Sequence, residues 1–415
     1  MKKWMLALLA LLLTLTCALA TADVSGDWEY SLLPDGTVEI TDYTGSETEL
    51  VVPGELGGRT VTKIGDSAFF RCTKLTSITI PDSVTFIGDQ AFSFCTKLTS
   101  ITLPDSITSI GKRAFSRCNN LQFITLPDSL TSIADFAFSP CESLKSIIIP
   151  DSVSFIGESA FSGCKSLQSV TLPASLTSIE PYTFSACESL TSVTLPSSLI
   201  SIGDSAFISC SLTSITLPDS LLSIGTHAFS LTKLTSITIP ASVTFIPEGF
   251  CSDSALEAIH VSPDNPVFAV VDSALINTQD KVLLQYATAS SAASYTVPQG
   301  TKRIGARAFA GSIHLTEVIL PDSVTDIGEW AFSECTNLTS VNLPDSVTTI
   351  DKMAFNHCES LRNVTLPASL TYIAQDAFLD CPAAFSAGMF TYAEYWCHWH
   401  AYEYVVTDPE IDAED

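Results

Sequence analysis

The chain has 415 residues, of which 46% are hydrophobic and 15% charged; 45 acidic residues against 19 Lys and Arg give a net charge of −26. A surface this acidic is expected to be repelled by nucleic acid and by anionic membrane, and no nucleic-acid partner is expected. With charged residues well below the ~25% of an average soluble domain, Ser and Thr must supply most of the polar surface.

Lys2 and Lys3 precede an apolar run, Trp4–Leu15, and the small-residue sites Ala18-Leu19-Ala20 and Ala20-Thr21-Ala22 follow it. A charged start, a short apolar middle and an A-x-A end read as a secretory signal peptide over residues 1–20, with cleavage after residue 22 as the alternative. Thr14-Leu15-Thr16 lacks the small residues that a lipid anchor on Cys17 would need. The run is too short to span a bilayer, and no membrane span remains once it is removed. Losing Lys2 and Lys3 takes the net charge to −28. The chain is therefore expected to be secreted or held at the cell surface.

Residues 23–60 read as a cap and a first coil. Within them Trp28–Tyr43 has the pattern of a hairpin turning at Pro34-Asp35-Gly36, with Val38 and Ile40 alternating against Glu39 and Thr41.

A repeat then runs through residues 61–261 and resumes over 295–381. Phenylalanine recurs every 23 residues at Phe69, Phe92, Phe115, Phe138, Phe161, Phe184 and Phe207, continues after a one-residue deletion at Phe229 and Phe250, and returns at Phe309, Phe332, Phe355 and Phe378. Leucine keeps the same beat from Leu75 to Leu190, with proline six residues later, so that LTSITLPDS stands letter for letter at Leu98–Ser106 and Leu212–Ser220. The unit L-x-x-I-x-L-P-x-S-L-x-x-I-x-x-x-A-F-x-x-C-x-x predicts a leucine-rich repeat solenoid of short parallel strands joined by irregular or short helical turns. In each unit Ile101 and Leu103 face inward and Ser100 and Thr102 outward; Pro104 ends the strand, Asp105-Ser106 forms a local turn, Gly111 supplies a left-handed corner, and Ala114-Phe115 closes the coil. Stacked coils lid one another, and thirteen or so at ~4.8 Å each make a rod ~60 Å long.

Residues 262–294 interrupt the beat and read as an inserted hairpin, turning at Thr278-Gln279-Asp280 and projecting from the solenoid. Residues 382–407, rich in large aromatics, read as a cap on the last coil, and the acidic tail 408–415 as disordered.

The repeat ITLPDSVTSIG-x-x-AF-x-x-C, as at Ile78–Cys95, resembles the BspA-like leucine-rich repeat proteins, as do the opening Leu32–Pro53 and the insertion Ser262–Asn277, where Asp272-Ser273 replaces the more usual Asp-Gly. The resemblance implies a secreted or surface protein without enzymatic activity that adheres to host extracellular proteins such as fibronectin and fibrinogen. It carries no binding residues over.

No catalytic, cofactor-binding or metal-binding constellation emerges. Ten cysteines sit three residues after the Phe column, and translational stacking suits a buried thiol ladder better than the ~90° dihedral of a disulfide. Cys397, His398 and His400 lack a fourth ligand and read as part of the aromatic cap. Asp82, Asp105 and their equivalents read as turn formers. Phe86, Phe155 and Phe245 are expected to pack on the convex side or between coils. Partner-binding information is expected where the hydroxylated sheet face changes: Gln122 and Phe123 in one coil, Lys145 and Ile148 in the next, Gln168 in the third. Phe123 and Ile148 would be diagonal neighbours, an exposed apolar pair framed by polar residues. These residues predict a module presenting a broad concave sheet to an extracellular protein or glycan; a self-associating structural role is the alternative.

Overall fold

The computed structural model describes residues 22–400 and 402–407. The segments expected to be a signal peptide and an acidic tail lie outside them. The fold is a β-solenoid of about 16 turns. This exceeds the thirteen given by the Phe ruler because both caps and the insertion add turns without a Phe in step.

Each coil is held to the next along three edges. The first is a ladder of three-residue strands, such as Ser77–Thr79 and Ser100–Thr102, paired in parallel with Ile78 opposite Ile101. Ile78, Ile101, Ile124 and Ile147 point inward and are buried, whereas Thr79, Thr102 and Thr125 point out. The second edge is a ladder of two-residue strands, Phe86–Ile87, Ser109–Ile110, Ser132–Ile133 and Phe155–Ile156. The third is built entirely from turns: the N–H groups of Ser67, Phe69 and Arg71 donate to the carbonyls of Asp89, Ala91 and Ser93 in the next coil, at 2.8, 2.7 and 2.9 Å.

This third edge is not the helical turn expected. Ala68 N–H bonds to Gly65 O and Cys72 N–H to Phe69 O, two tight turns whose third residues, Ser67 and Arg71, both have a φ of 61°. The left-handed corners thus fall on side-chain-bearing residues; from Gln90 through Arg113, Phe136 and Ser159 to Tyr182 φ is 56–57°. The glycine column has the other glycine property instead, close approach. A Cβ on Gly111 would lie 2.6 Å from the Gly88 carbonyl carbon, and one on Gly157 2.5 Å from the Asp135 amide nitrogen. Among the described residues the one α-helix is Tyr392–Trp399 in the C-terminal cap.

The core is a stack of columns. Phe69, Phe92, Phe115 and Phe138 lie ring over ring at 5.0, 5.2 and 5.3 Å, within 8° of parallel. The turn polar groups are satisfied between coils, which corrects the local role expected of Asp-Ser. The local bond is backbone, Val84 N–H to Pro81 O, while the Ser129 hydroxyl donates to Ile107 O of the previous coil at 2.6 Å and Ser152 to Leu130 O at 2.7 Å. Likewise Thr99 donates to Thr76 O at 3.0 Å and Thr131 to Thr108 O at 3.0 Å. Much of the hydroxyl content therefore stitches coils together.

The N-terminal hairpin pairs Trp28–Leu32 with Val38–Tyr43 and lays Trp28 and Tyr43 over Phe69, with centroids 6.1 and 5.6 Å away. At the other end Phe385 and Trp396 cover Phe378 at 4.9 and 6.0 Å.

Two departures interrupt the regularity. The segments Ser192–Thr194 and Ser214–Thr216, in the coils flanking the one-residue deletion, form no strand. The same nine residues are a strand in one coil and none in another, so neighbours and not local sequence decide pairing.

The insertion, in turn, does not project. Phe268–Val271, Ala274–Asn277 and Val282–Tyr286 form an antiparallel meander whose last strand joins the solenoid in parallel with Arg303–Ile304. Its first bend sets Asp272 and Ser273 at φ 45° and 73°, the two positive values that a two-residue hairpin requires. Leu275, Leu284 and Ala287 complete the N-terminal core, while Ala274, Ile276, Leu283 and Tyr286 belong to the C-terminal one. The meander is an internal wall. Tyr286 takes the vacant aromatic slot, 5.3 Å from Phe309. Where the turn ladder is cut, Glu248 spans the gap by accepting from Ala306 N–H at 2.6 Å and pairing with Arg303 Nε at 3.0 Å.

Candidate functional site

The outward face of the longer strands is built from two positions per coil. Strand pairing sets Phe123 beside Ser100, and Ser146 and Ile148 beside Ser169 and Thr171. Between Phe123–Thr125 and Ser146–Ile148 the strand ladder lapses, and the two coils meet there through Lys145 N–H to Gln122 O at 3.2 Å. Gln168 N–H then bonds to Lys145 O at 2.8 Å. Gln122, Lys145 and Gln168 thus stand in one column on three successive coils.

Phe123 is 54% and Ile148 72% exposed, although Ile124 and Ile147 beside them in the chain are buried. The Lys145 ammonium lies 5.5 Å from the centroid of the Phe123 ring, a cation–π contact the sequence did not announce. Lys145, Phe123 and Ile148 thus put one cation and two apolar side chains on a part of the face whose neighbouring strand positions are Ser and Thr. Such a group can desolvate against a partner and accept a carboxylate. It holds no nucleophile paired with a base.

The other sequence candidates are now placed. All twelve described cysteines are free thiols, ten of them buried. Burial pushes the Cys118, Cys164 and Cys335 thiols up to about 12, and that of half-buried Cys72 up to about 11. Such groups are poor nucleophiles. Cys397 lies on the buried side of the helix, and His400 Nδ1 lies 2.8 Å from the Trp396 carbonyl. No group of three or more His, Cys, Asp or Glu among the described residues is placed to hold a metal ion. Phe155 and Phe245 are exposed rather than packed between coils, because their column lies on the outer side of the short strands. Phe86 in the same column sits below the Lys63 ammonium at 5.9 Å.

Sequence reasoning missed the turn edge. Its left-handed positions carry Arg71, Phe94, Arg113, Arg117 and Phe136, in columns whose residue types vary too freely to register as a pattern.

Comparison with known proteins agrees with this architecture. Residues 55–168, 156–269 and 285–386 match the BspA type leucine-rich repeat region, in six copies. A leucine-rich repeat protein from Bacteroides ovatus is 31% identical over 94% of this chain and 100% of its own, with a TM-score of 0.64. A leucine-rich cell surface protein from Faecalibacterium prausnitzii is 29% identical over 92% of this chain and 97% of its own, with a TM-score of 0.57. No curated protein matches. With the matched repeats spanning most of its length, the chain belongs to the BspA type leucine-rich repeat family.

Proposed function

We propose that the chain is a secreted or surface-associated binding module that adheres to an extracellular protein or glycan through the outward face of its longer strands. The observation that carries this reading is the exposed pair Phe123 and Ile148 beside Lys145, in a hydroxylated field. Large side chains left in water beside strand positions that keep Ser and Thr lose nothing by being covered, and central aromatic anchors dominate most interfaces. The Faecalibacterium relative, a cell surface protein, supports the location. In this reading the chain has no catalytic role, and Gln122 and Gln168 frame the anchor with amide hydrogen-bonding groups.

The test is binding of the mature chain to immobilised fibronectin, fibrinogen and mucin, with a Phe123→Ser/Ile148→Thr double variant alongside. Saturable binding that falls at least tenfold in the folded variant supports the reading. Equal binding by both proteins moves the site elsewhere, and no binding to any of the three removes these ligands.

The alternative, self-association at a surface, draws on the cap, where Phe390 and Trp399 are 78% and 84% exposed. A mass that rises with concentration in light scattering would favour it.

A further inference from the structure

Charge is segregated along the rod. Residues 22–58 hold nine acidic side chains and no Lys or Arg, whereas residues 59–117 hold eight Lys and Arg against four Asp. Within that basic segment the turn edge displays Arg71, Phe94 and Arg117 at the same position of three successive coils. The Arg71 and Arg117 guanidinium carbons lie 5.5 and 5.2 Å from the Phe94 ring centroid, on a ring shared between them. Arg71 also covers Phe70 at 5.1 Å, and Arg113 covers Phe136 at 4.6 Å. All three arginines are exposed. Among the described residues none of them forms an ion pair, whereas Lys112 beside them is paired with Asp135 at 3.2 Å. The nearby acids are engaged: Asp66 and Asp89 accept the backbone N–H groups of Asp89 and Lys112, each at 2.7 Å.

The backbone does not require these side chains, since the same columns accept Gly163, Ser209, Gly249 and Gly311. A guanidinium lying on an aromatic ring keeps its N–H fork free at the edge, oriented for a bidentate anion. We propose that this edge binds a linear sulfated polysaccharide running along the rod axis. The coil steps here are 5.0 and 5.2 Å, so Arg71 and Arg117 are set about a disaccharide apart, the interval at which such chains repeat their charge. Phe70, the exposed ring of the group, offers apolar surface to sugar C–H groups. A sulfate monoester is the fitting anion: singly charged and a weaker base than a carboxylate, it gives up water more readily to the guanidinium fork. The chain's net charge of −26 limits the contact to this one belt, so salt must weaken it.

This inference rests on the reading of the chain as an extracellular binding module but uses a different edge, so the two fail separately. The experiment measures binding of the full mature chain to immobilised chondroitin sulfate, with hyaluronate and poly-glutamate as comparators, for wild type, Arg71→Gln/Arg117→Gln and Phe123→Ser/Ile148→Thr. The expected result is salt-sensitive binding to chondroitin sulfate that falls at least tenfold in the arginine variant, with an unchanged melting curve, and stays within twofold in the Phe123/Ile148 variant. No wild-type binding at physiological salt, or equal binding by the arginine variant, overturns the proposal. Equal affinity for hyaluronate overturns the choice of sulfate, and equal affinity for poly-glutamate overturns the choice of a polysaccharide.

Discussion

The Cys95 thiol lies 3.1 Å from the Phe69 carbonyl oxygen, one coil back and 26 residues away, on an oxygen that also accepts the Cys72 amide at 3.2 Å. The pairing recurs at Cys118 with Phe92, Cys141 with Phe115 and Cys335 with Phe309, each at 3.2 Å. The Phe and Cys columns are therefore one device: the ring fills the core, and the thiol gives the carbonyl of the preceding coil's Phe a second hydrogen bond.

Those thiols make the fold sensitive to alkali. In the unfolded chain a cysteine ionises near its ordinary 9.0, whereas burial raises Cys118, Cys164, Cys251 and Cys335 to about 12. Below pH 9 both states hold the proton and stability is unaffected. Between 9 and 12 the unfolded state has lost it and the native state has not, so stability falls with pH by about 1.4 kcal/mol per unit for each such thiol. The urea midpoint is expected to drop steeply from pH 9 to pH 10.5. An unchanged midpoint over that range would contradict buried free thiols.

Phe161 sits between Phe138 and Phe184 at 5.3 and 5.6 Å and is fully buried. Phe161→Ala is expected to cost about 3–5 kcal/mol, and Phe161→Leu distinctly less. Because coils in a solenoid are stabilised by their neighbours, hydrogen exchange should quicken in the adjoining coils before it does in either cap. Uniform quickening would show that the array unfolds as one unit.

The glycine column predicts a contrast between two chemically identical changes. A Cβ on Gly157 meets the preceding coil's backbone at 2.5 Å, which no rotamer can relieve, whereas one on Gly54 meets nothing within 4 Å. Gly157→Ala should lower stability by about 2 kcal/mol or more, and Gly54→Ala should stay within about 0.5 kcal/mol of wild type. Thermal denaturation of the two variants checks this, and equal effects would refute the close-approach role.

Glu248 replaces the Asp that bridges ordinary coils, such as Asp89 to Lys112 N–H and Asp204 to Thr226 N–H, each at 2.7 Å. Its extra methylene suits the wider gap opened by the wall. Glu248→Ala removes the acceptor for Ala306 N–H and should cost about 1–3 kcal/mol, with faster amide exchange at Ala306. Glu248→Gln retains an acceptor and should restore most of the protection.

The array was legible because its strongest signals are buried side chains of one type at one spacing. The Leu, Phe and Cys columns and the Val38/Ile40 alternation led directly to the coil, the stack and the cap. The left-handed corners were not legible, since Gln90, Arg113, Phe136 and Tyr182 share a backbone geometry and no chemistry. The glycine column was visible, but sequence alone cannot separate a need for positive φ from a need for space. The wall had a signal that was passed over: Ala274-Leu275-Ile276 and Val282-Leu283-Leu284 run apolar without alternation, the mark of strands covered on both faces. At the candidate site the side chains were readable, but the lapse in strand pairing and the seat of Lys145 over Phe123 depend on how adjacent coils meet.

The wall also bears on how the chain can be taken apart. Leu275 and Leu284 face one half of the rod while Ile276 and Leu283 face the other. A fragment that keeps the wall but lacks either half would leave one of these faces wet, and a fragment without it would open the end of a core. The rod is thus divided without being divisible: its two halves share a single partition, and neither can be excised with a soluble boundary of its own.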